Sequence, residues 1–155
     1  MFFNSFILPH FNYASSLFKN CKKDKIKLLQ KLQNRSMRII LNKSFYTHTD
    51  FMLKELKWLS ITEIYTYNSF CLVYKAINNM LPIYINDLFI LNSYIHLYNT
   101  RNRNDFHVNI RQSNYLSNCT FSSDLIEFNN LPITLKSCND FKMFKKLFFN
   151  FLFYK

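Results

Sequence analysis

The sequence contains no glycine among its 155 residues and has three prolines. A loop that cradles a phosphate with closely approaching backbone amides needs glycine, so P-loop and dinucleotide-binding proteins are excluded as classes. Turns that require a positive φ must be built from other residues. We expect asparagine, which is abundant in this chain, to occupy them because it tolerates the left-handed conformation.

Acidic residues are scarce as well. Nine Asp and Glu stand against twenty Lys and Arg, which gives a formal net charge of +11. Such a balance favours polyanionic partners, because a positive field speeds their approach and phosphate binding releases counterions. The excess is local, since the stretch from Lys19 to Lys43 holds nine basic residues and one acid, Asp24.

Long apolar runs and paired cysteines are also missing. No apolar run approaches the about 20 residues that a membrane-spanning helix needs, and the first residues lack the basic segment and cleavage site of a signal peptide. The four cysteines are too widely spaced to form paired metal ligands and are expected to be reduced thiols. We therefore expect a protein of the cytoplasm or nucleus, with no metal and no cofactor.

Catalytic groupings are absent from the sequence in the same way. No Ser/His/Asp or Cys/His set has a recognisable local pattern, and the acids include no close pair suited to two-metal phosphoryl transfer. Asp124 and Glu127 are near each other, but in a stretch that is typical of a loop. We expect this chain to have no catalytic residues and not to be an enzyme by itself.

Helical periodicity dominates what is present. The pattern predicts a mainly α fold, a small helical bundle with a short irregular β-containing segment near residues 105–122. The segments "FHVNI" and "YLSNCTF" have the alternation of short strands. We divide the chain into a helical region over 1–95, an irregular loop and strand segment over 96–135, and a C-terminal amphipathic helix over 136–155.

Local signals place helix starts and the core. Ser60 with Glu63, and Ser137 with Asp140, have the spacing of capping boxes, and Thr47 or Thr49 is expected to cap the helix "FMLKELKWL". We expect Leu32→Ala to cost about 2–5 kcal/mol as a core substitution. The expected core residues are Leu29, Leu32, Ile39, Ile40, Leu56, Trp58, Phe70, Val73, Ile77, Phe144 and Phe148.

The helix predicted over residues 25–41 has two chemically distinct sides. Its apolar residues fall on one broad side, whereas Lys27, Lys31, Arg35 and Arg38 share the opposite side over roughly 16 Å. A solvated basic face is the alternative to a surface that binds a polyanion. The missing acids favour the binding surface, because a helix that is merely soluble gains from interspersed Glu–Lys pairs.

Two further basic segments are ambiguous. Tyr98, Arg101 and Arg103 in "YNTRNR" combine an aromatic ring with two guanidinium groups, which could stack on or clamp a nucleic-acid strand, or form a solvated loop. The C-terminal helix has Lys142, Lys145 and Lys146 opposite its phenylalanines, as a membrane-surface helix would. We expect it to pack into the core and do not expect a membrane partner.

Six segments in order resemble the region that follows the catalytic core in reverse transcriptases of jockey-like non-LTR retrotransposons. They are "FILPHFNYASSLF" (6–18), "LQKLQNRSMRIIL" (29–41), "MLKELKWLSI" (52–61), "VYKAINNMLPIYINDLF" (73–89), "HLYNTRN" (96–102) and "FNNLPITLKSCNDFKMFKKLFFNFL" (128–152). The family usually has a Gly and a Trp before its "NxLP" motif, where this chain has Phe128 and no Gly. That departure is typical of a decayed copy.

The resemblance implies a non-catalytic C-terminal fragment of an RNA-directed DNA polymerase. In the family the catalytic aspartates lie upstream of the "ILPHFNY" segment, and the thumb and adjoining helices pack against the template–primer duplex. The expected partner is therefore template RNA or an RNA–DNA duplex, bound through its phosphates without sequence preference. The alternatives are a protein-interaction or packing module that docks on the missing polymerase core, and a transposon remnant with no present function.

Overall fold

The structure, a computed structural model, describes residues 3–19, 21–108 and 120–154. These residues are mainly helical and contain no extended strand; an isolated antiparallel bridge joins Leu91 and Phe106. The predicted mainly α class is confirmed. No helix within these ranges is long and apolar enough to cross a bilayer.

Helices account for most of the described residues. A π-helical segment, Phe3–Ile7, leads into α1 (Leu8–Asn12), α2 (Ser15–Phe18), α3 (Lys23–Leu41), α4 (Thr49–Leu56) and α5 (Ile61–Ile77). The later helices are α6 (Ile83–Asn86), α7 (Asn92–Ile95), α8 (Thr120–Asn129), α9 (Ile133–Lys136) and α10 (Phe141–Phe153). Most of the helical residues lie in the three longest of these, α3, α5 and α10.

The segment expected to be irregular is partly helical. Asp124 and Glu127 lie on α8 and not in a loop, and the side chain of Asp124 is buried. Most of the expected strand "YLSNCTF", and the end of "FHVNI", fall within residues 109–119, outside the described residues. Of "FHVNI", Phe106 pairs with Leu91 in the isolated bridge.

The chain divides into two compact units. The first comprises Met1–Asn68 with Phe149–Lys155, and the second comprises Ser69–Phe148. The division falls inside α5 and inside α10, so each of these helices contributes residues to both units.

The core of the second unit is built from stacked rings. Phe70 and Tyr74 lie four residues apart on α5, and Phe144 and Phe148 lie four apart on α10, so each pair shares one side of its helix. Phe70 stacks on Phe148 with centroids 5.0 Å apart, and Tyr74 on Phe144 with centroids 4.3 Å apart. The predicted burial of Phe70, Val73, Phe144 and Phe148 is confirmed.

In the first unit, α3 is rotated relative to the prediction. Its buried residues are Gln33 and Met37, while Leu32 is 55% exposed and Ile39 and Ile40 are exposed as well. The predicted burial of these three aliphatic residues is therefore wrong. In the second unit the same holds for Ile77, which is exposed. Leu29, Leu56 and Trp58 are half-buried.

Hydrogen bonds from two glutamines account for this rotation of α3. The Gln33 Nε2 donates to the backbone oxygen of Leu59 at 2.8 Å, and the Ile61 backbone N–H donates to Gln30 Oε1 at 2.9 Å. Gln30 Nε2 also donates to Gln33 Oε1 at 2.8 Å. These bonds satisfy backbone groups at the start of α5, and they require the glutamine side of α3 to face inward.

Of the three predicted helix N-caps, the structure confirms one. The Ser60–Glu63 box is confirmed, since the Ser60 N–H donates to Glu63 Oε2 at 2.8 Å and the Glu63 N–H to Ser60 Oγ at 3.4 Å. The Ser137 box is wrong, because that residue ends α9 and the Lys142 N–H donates instead to Asp140 Oδ1 at 3.2 Å.

Helix α4 also begins differently from the prediction. His48 is its N-cap residue and makes no side-chain cap bond, so neither Thr47 nor Thr49 caps it. Among the described residues, the left-handed positions are occupied partly by asparagine, as expected. Asn42 and Asn79 have positive φ, and so do Ala14 and Lys57.

Candidate nucleic-acid interface

Three cations form a row along α3. Lys27, Lys31 and Arg35 are spaced four residues apart, so they lie on one side of the helix, and all three are exposed. At a rise of about 1.5 Å per residue, the row is roughly 12 Å long between its terminal Cα atoms. We call Lys27, Lys31 and Arg35 the basic row.

None of the three cations of the basic row forms a salt bridge within the described part of the chain. Elsewhere in that part, the Lys136 Nζ lies 3.1 Å from Asp105 Oδ1, and His48 Nδ1 lies 3.9 Å from Asp50 Oδ2. The acid on α3, Asp24, lies in the first turn, where it interacts favourably with the helix dipole. The row is therefore a line of exposed cations that form no ion pair in the described residues, with Asp24 one turn before Lys27.

Arg38, the fourth predicted contact, has a different environment. It is half-buried, and its guanidinium carbon lies 5.1 Å from the ring centroid of Phe45. Its Nε is buried and has no hydrogen-bond partner among the described residues. Arg38 is thus held against an aromatic ring at the end of the row and is not equivalent to the other three cations.

The segment after α3 carries two exposed aromatic side chains that the sequence analysis missed. Asn42 adopts the left-handed conformation and ends the helix, and the Lys43 N–H donates to the Arg38 oxygen at 3.0 Å. A turn then begins at Ser44, whose oxygen accepts the Thr47 N–H at 3.2 Å.

Phe45 and Tyr46 are the two central residues of this turn, and their exposed fractions are 77% and 93%. Their rings meet edge to face with centroids 5.9 Å apart. We call Phe45 and Tyr46 the aromatic pair. The available signal in the sequence was the position of two aromatic residues in a helix break, with Lys43 two residues before the first of them.

An apolar strip lies beside the basic row. Leu28, Leu32 and Ile39 occupy the adjacent side of α3, and all three are exposed. Together the basic row and this apolar strip form the outer surface of the helix. The strip is a consequence of the inward position of Gln33.

The other segment predicted to bind nucleic acid lies in the second unit, whereas α3 lies in the first. Tyr98, Arg101 and Arg103 are exposed and lie in the segment that follows α7. The Ser93 N–H donates to the Arg103 oxygen at 3.0 Å, and the Asn92 Nδ2 donates to the Asn102 oxygen at 2.9 Å. These bonds tie the backbone of the segment to α7. Because the bond to Arg103 uses its backbone oxygen, the Arg103 guanidinium group is left to contact a ligand.

Groups suited to metal chemistry do not converge in the described ranges, which contain no set of three or more His, Cys, Asp or Glu side chains able to hold a metal ion. The first unit contains a cavity of about 360 Å³ beside the stacked rings of Phe3 and Trp58. Amide side chains, including those of Asn12 and Asn68, contribute to its lining, and no carboxylate, histidine or cysteine does.

Comparison with known proteins gives no relative. No protein-family model, curated protein or solved structure matches this chain.

Proposed function

We propose that this chain binds nucleic acid through the phosphate backbone, as the non-catalytic C-terminal part of a jockey-like non-LTR retrotransposon reverse transcriptase. The observation that supports this proposal is the basic row, an exposed line of cations on one helix with no acidic partner in the described residues. The ligand is template RNA or an RNA–DNA duplex, in the cytoplasm or nucleus, and binding requires no metal or cofactor.

The length of the row suits a duplex. The row is roughly 12 Å long and carries three cations, so it can contact up to three phosphates of one backbone. Lys27 and Lys31 act as point charges on flexible stems, whereas Arg35 can offer two parallel N–H donors to one phosphate. Such contacts position the duplex without reading its bases.

The exposed segment with Tyr98, Arg101 and Arg103 is a second candidate contact. Its aromatic ring and guanidinium groups are the types of side chain that hold single strands by stacking and charge. It belongs to the second unit, so its contribution to binding is expected to be separable from that of the basic row by substitution.

The apolar strip supports a second candidate function, docking on the polymerase core. Phosphate binding does not need Leu28, Leu32 or Ile39, whereas a protein surface can bury them and pair its acids with the adjacent basic row. Replacing all three by Ser keeps the charge of α3. That variant should retain nucleic-acid affinity if the phosphate proposal is right, and should lose association with a polymerase core if docking is right.

A salt series tests the phosphate contacts. Each contacted phosphate adds about 0.7–0.9 to the slope of log affinity against log salt concentration, so Lys27→Gln/Lys31→Gln/Arg35→Gln should lower the slope by about 2–3. The measurement is fluorescence anisotropy with a labelled RNA–DNA hybrid. The reduction should be similar for hybrids of different sequence, because the row touches no base edge.

A charge-matched variant controls for net charge. Lys142, Lys145 and Lys146 are exposed on α10, and their triple Gln variant loses the same three positive charges. We expect its slope to change by less than about one unit. The proposal is contradicted if the α3 variant is folded and keeps the wild-type slope, or if both variants lose slope equally.

A further inference from the structure

We propose that the aromatic pair, Phe45 and Tyr46, is a stacking site for unpaired bases at the end of a duplex held by α3. This inference rests on the proposed nucleic-acid binding and adds the form of nucleic acid that is preferred, a junction between duplex and single strand. The ligand is recognised by its base planes and phosphates, so any base suffices.

The turn that carries the pair is held in place from both sides. The Lys43 N–H bonds to the Arg38 oxygen at the end of α3, and the turn closes between Ser44 and Thr47. The Arg38 guanidinium carbon lies 5.1 Å from the Phe45 centroid, so a cation covers one face of that ring and favours this orientation. A ring ordered before binding loses little conformational freedom when a base stacks on it.

One cation lies against the aromatic pair, and a second precedes it in the chain. The Arg38 guanidinium lies over the Phe45 ring, and Lys43, two residues before Phe45, is exposed, with its Nζ 5.7 Å from the ring centroid of Phe51. A base that stacks on the pair would therefore have its own phosphate near positive charge. Proteins that hold single strands without sequence preference use this combination of aromatic rings and basic groups.

Exposure alone does not distinguish the pair from other aromatic residues of the chain. Tyr84 and Tyr94 are 73% and 81% exposed, but among the described residues neither has a cation against its ring. They lie in the second unit, on α6 and α7, whereas Phe45 follows the helix that carries the basic row. Continuity with the row, and not exposure, identifies the site.

The position along α3 sets where the single strand begins. Arg35 and Arg38 are separated by roughly 5 Å along the helix axis. If a duplex held by Lys27, Lys31 and Arg35 ends beside the last of these residues, the next nucleotides of one strand come near the aromatic pair. A blunt duplex offers no exposed base plane except its terminal pair, so an overhang should bind more tightly.

The test compares overhangs in anisotropy titrations of the whole chain. The probes are a blunt RNA–DNA hybrid, the same hybrid with a short single-stranded overhang, and a third with an abasic overhang of equal length. For each base that stacks, wild type should bind the base-containing overhang roughly tenfold more tightly than it binds the blunt hybrid or the abasic overhang. The abasic arm holds the added phosphates constant, so it isolates stacking from charge.

Two double variants test whether the preference for the overhang depends on the aromatic pair. Phe45→Ala/Tyr46→Ala should abolish the overhang preference and leave blunt-hybrid affinity and its salt slope unchanged, and Tyr84→Ala/Tyr94→Ala should keep the preference. Both pairs are exposed, so circular dichroism should show intact folds. The inference is overturned if the Phe45/Tyr46 variant keeps the preference, or if the abasic overhang binds as tightly as the base-containing one.

The two proposals fail separately. If the α3 triple Gln variant loses salt slope while the overhang preference is absent, phosphate binding stands and the stacking site is rejected. If the overhang preference depends on the aromatic pair while the triple variant keeps its slope, the stacking site stands and the basic row is rejected as the phosphate contact.

Discussion

Tyr74 is a single residue on which packing and hydrogen bonding depend together. Its ring stacks on Phe144, and its hydroxyl donates to the Cys138 oxygen at 2.7 Å. Burial raises the pKa of Tyr74 above its ordinary value of 10.0, and the nearby Cys138 and Asp140 raise the pKa further. Because the folded state favours the neutral phenol, its stabilising contribution is complete below about pH 10 and is lost as pH rises through the folded-state pKa.

Tyr74→Phe should therefore alter stability in two ways. At neutral pH the free energy of unfolding should fall by about 1–3 kcal/mol, because the Cys138 oxygen loses its donor. Above about pH 10 the decline of stability with pH should be shallower than in wild type, because the variant lacks the phenol whose pKa is raised by folding. Urea unfolding over this pH range measures both, and Tyr84→Phe on an exposed ring is the control. An identical alkaline decline in wild type and Tyr74→Phe would rule out this role for Tyr74.

Substitutions at two neighbouring residues on α3 should differ strongly in their effect on the free energy of unfolding. Leu32 is exposed, so Leu32→Ala should change the free energy of unfolding by about 0.5 kcal/mol or less, and not by the amount expected of a core leucine. Gln33 is 1% exposed, so Gln33→Leu should cost about 1–3 kcal/mol by leaving the Leu59 oxygen without its donor. Urea unfolding of both variants checks the orientation of the helix, and a larger loss for Leu32→Ala would contradict it.

At the scale of the element, the sequence predicts helices better than their rotation. The positions of α3, α5 and α10 follow from apolar periodicity, and the capping box at Ser60 is a local signal. The rotation of α3 depends on the bonds from Gln30 and Gln33 to backbone groups 31 and 26 residues away. Periodicity identifies an apolar side, but it contains no information about which side meets those groups.

The candidate site, like the fold, could be predicted only in part from the sequence. The exposed position of Lys27, Lys31 and Arg35 follows from charge, because isolated cations remain in water unless they are paired. The contact between Arg38 and Phe45 depends on how the chain turns after Asn42, which requires the three-dimensional structure. The aromatic pair was missed for the same reason, since an aromatic residue in a helix break can be buried or exposed.

Helix α10 should show a sharp contrast between adjacent positions. Phe144 is fully buried against Tyr74 and Phe148, so Phe144→Ala should cost about 3–5 kcal/mol through lost burial and the cavity left behind. Met143→Ala, on an exposed residue of the same helix, should change stability by about 0.5 kcal/mol or less. Equal unfolding midpoints for the two variants would contradict the assignment of the buried side.

At the scale of the whole molecule, net charge and local charge have different effects. The formal charge of +11 speeds encounter with any polyanion, and every variant that loses three positive charges weakens that field to a similar degree. Only the residues that contact phosphates change the number of counterions released. The distribution of charge, and not its sum, therefore defines the binding surface.

Lysine footprinting tests the central claim, that α3 contacts phosphates, most directly. The chain is acetylated with and without saturating RNA–DNA hybrid at low salt, and each lysine's modification rate is read by mass spectrometry. The hybrid should slow modification of Lys27 and Lys31 several-fold, because a phosphate contact occupies the amine, and should leave Lys142, Lys145 and Lys146 unchanged. Unchanged rates at Lys27 and Lys31, with protection of the α10 lysines instead, would contradict the claim.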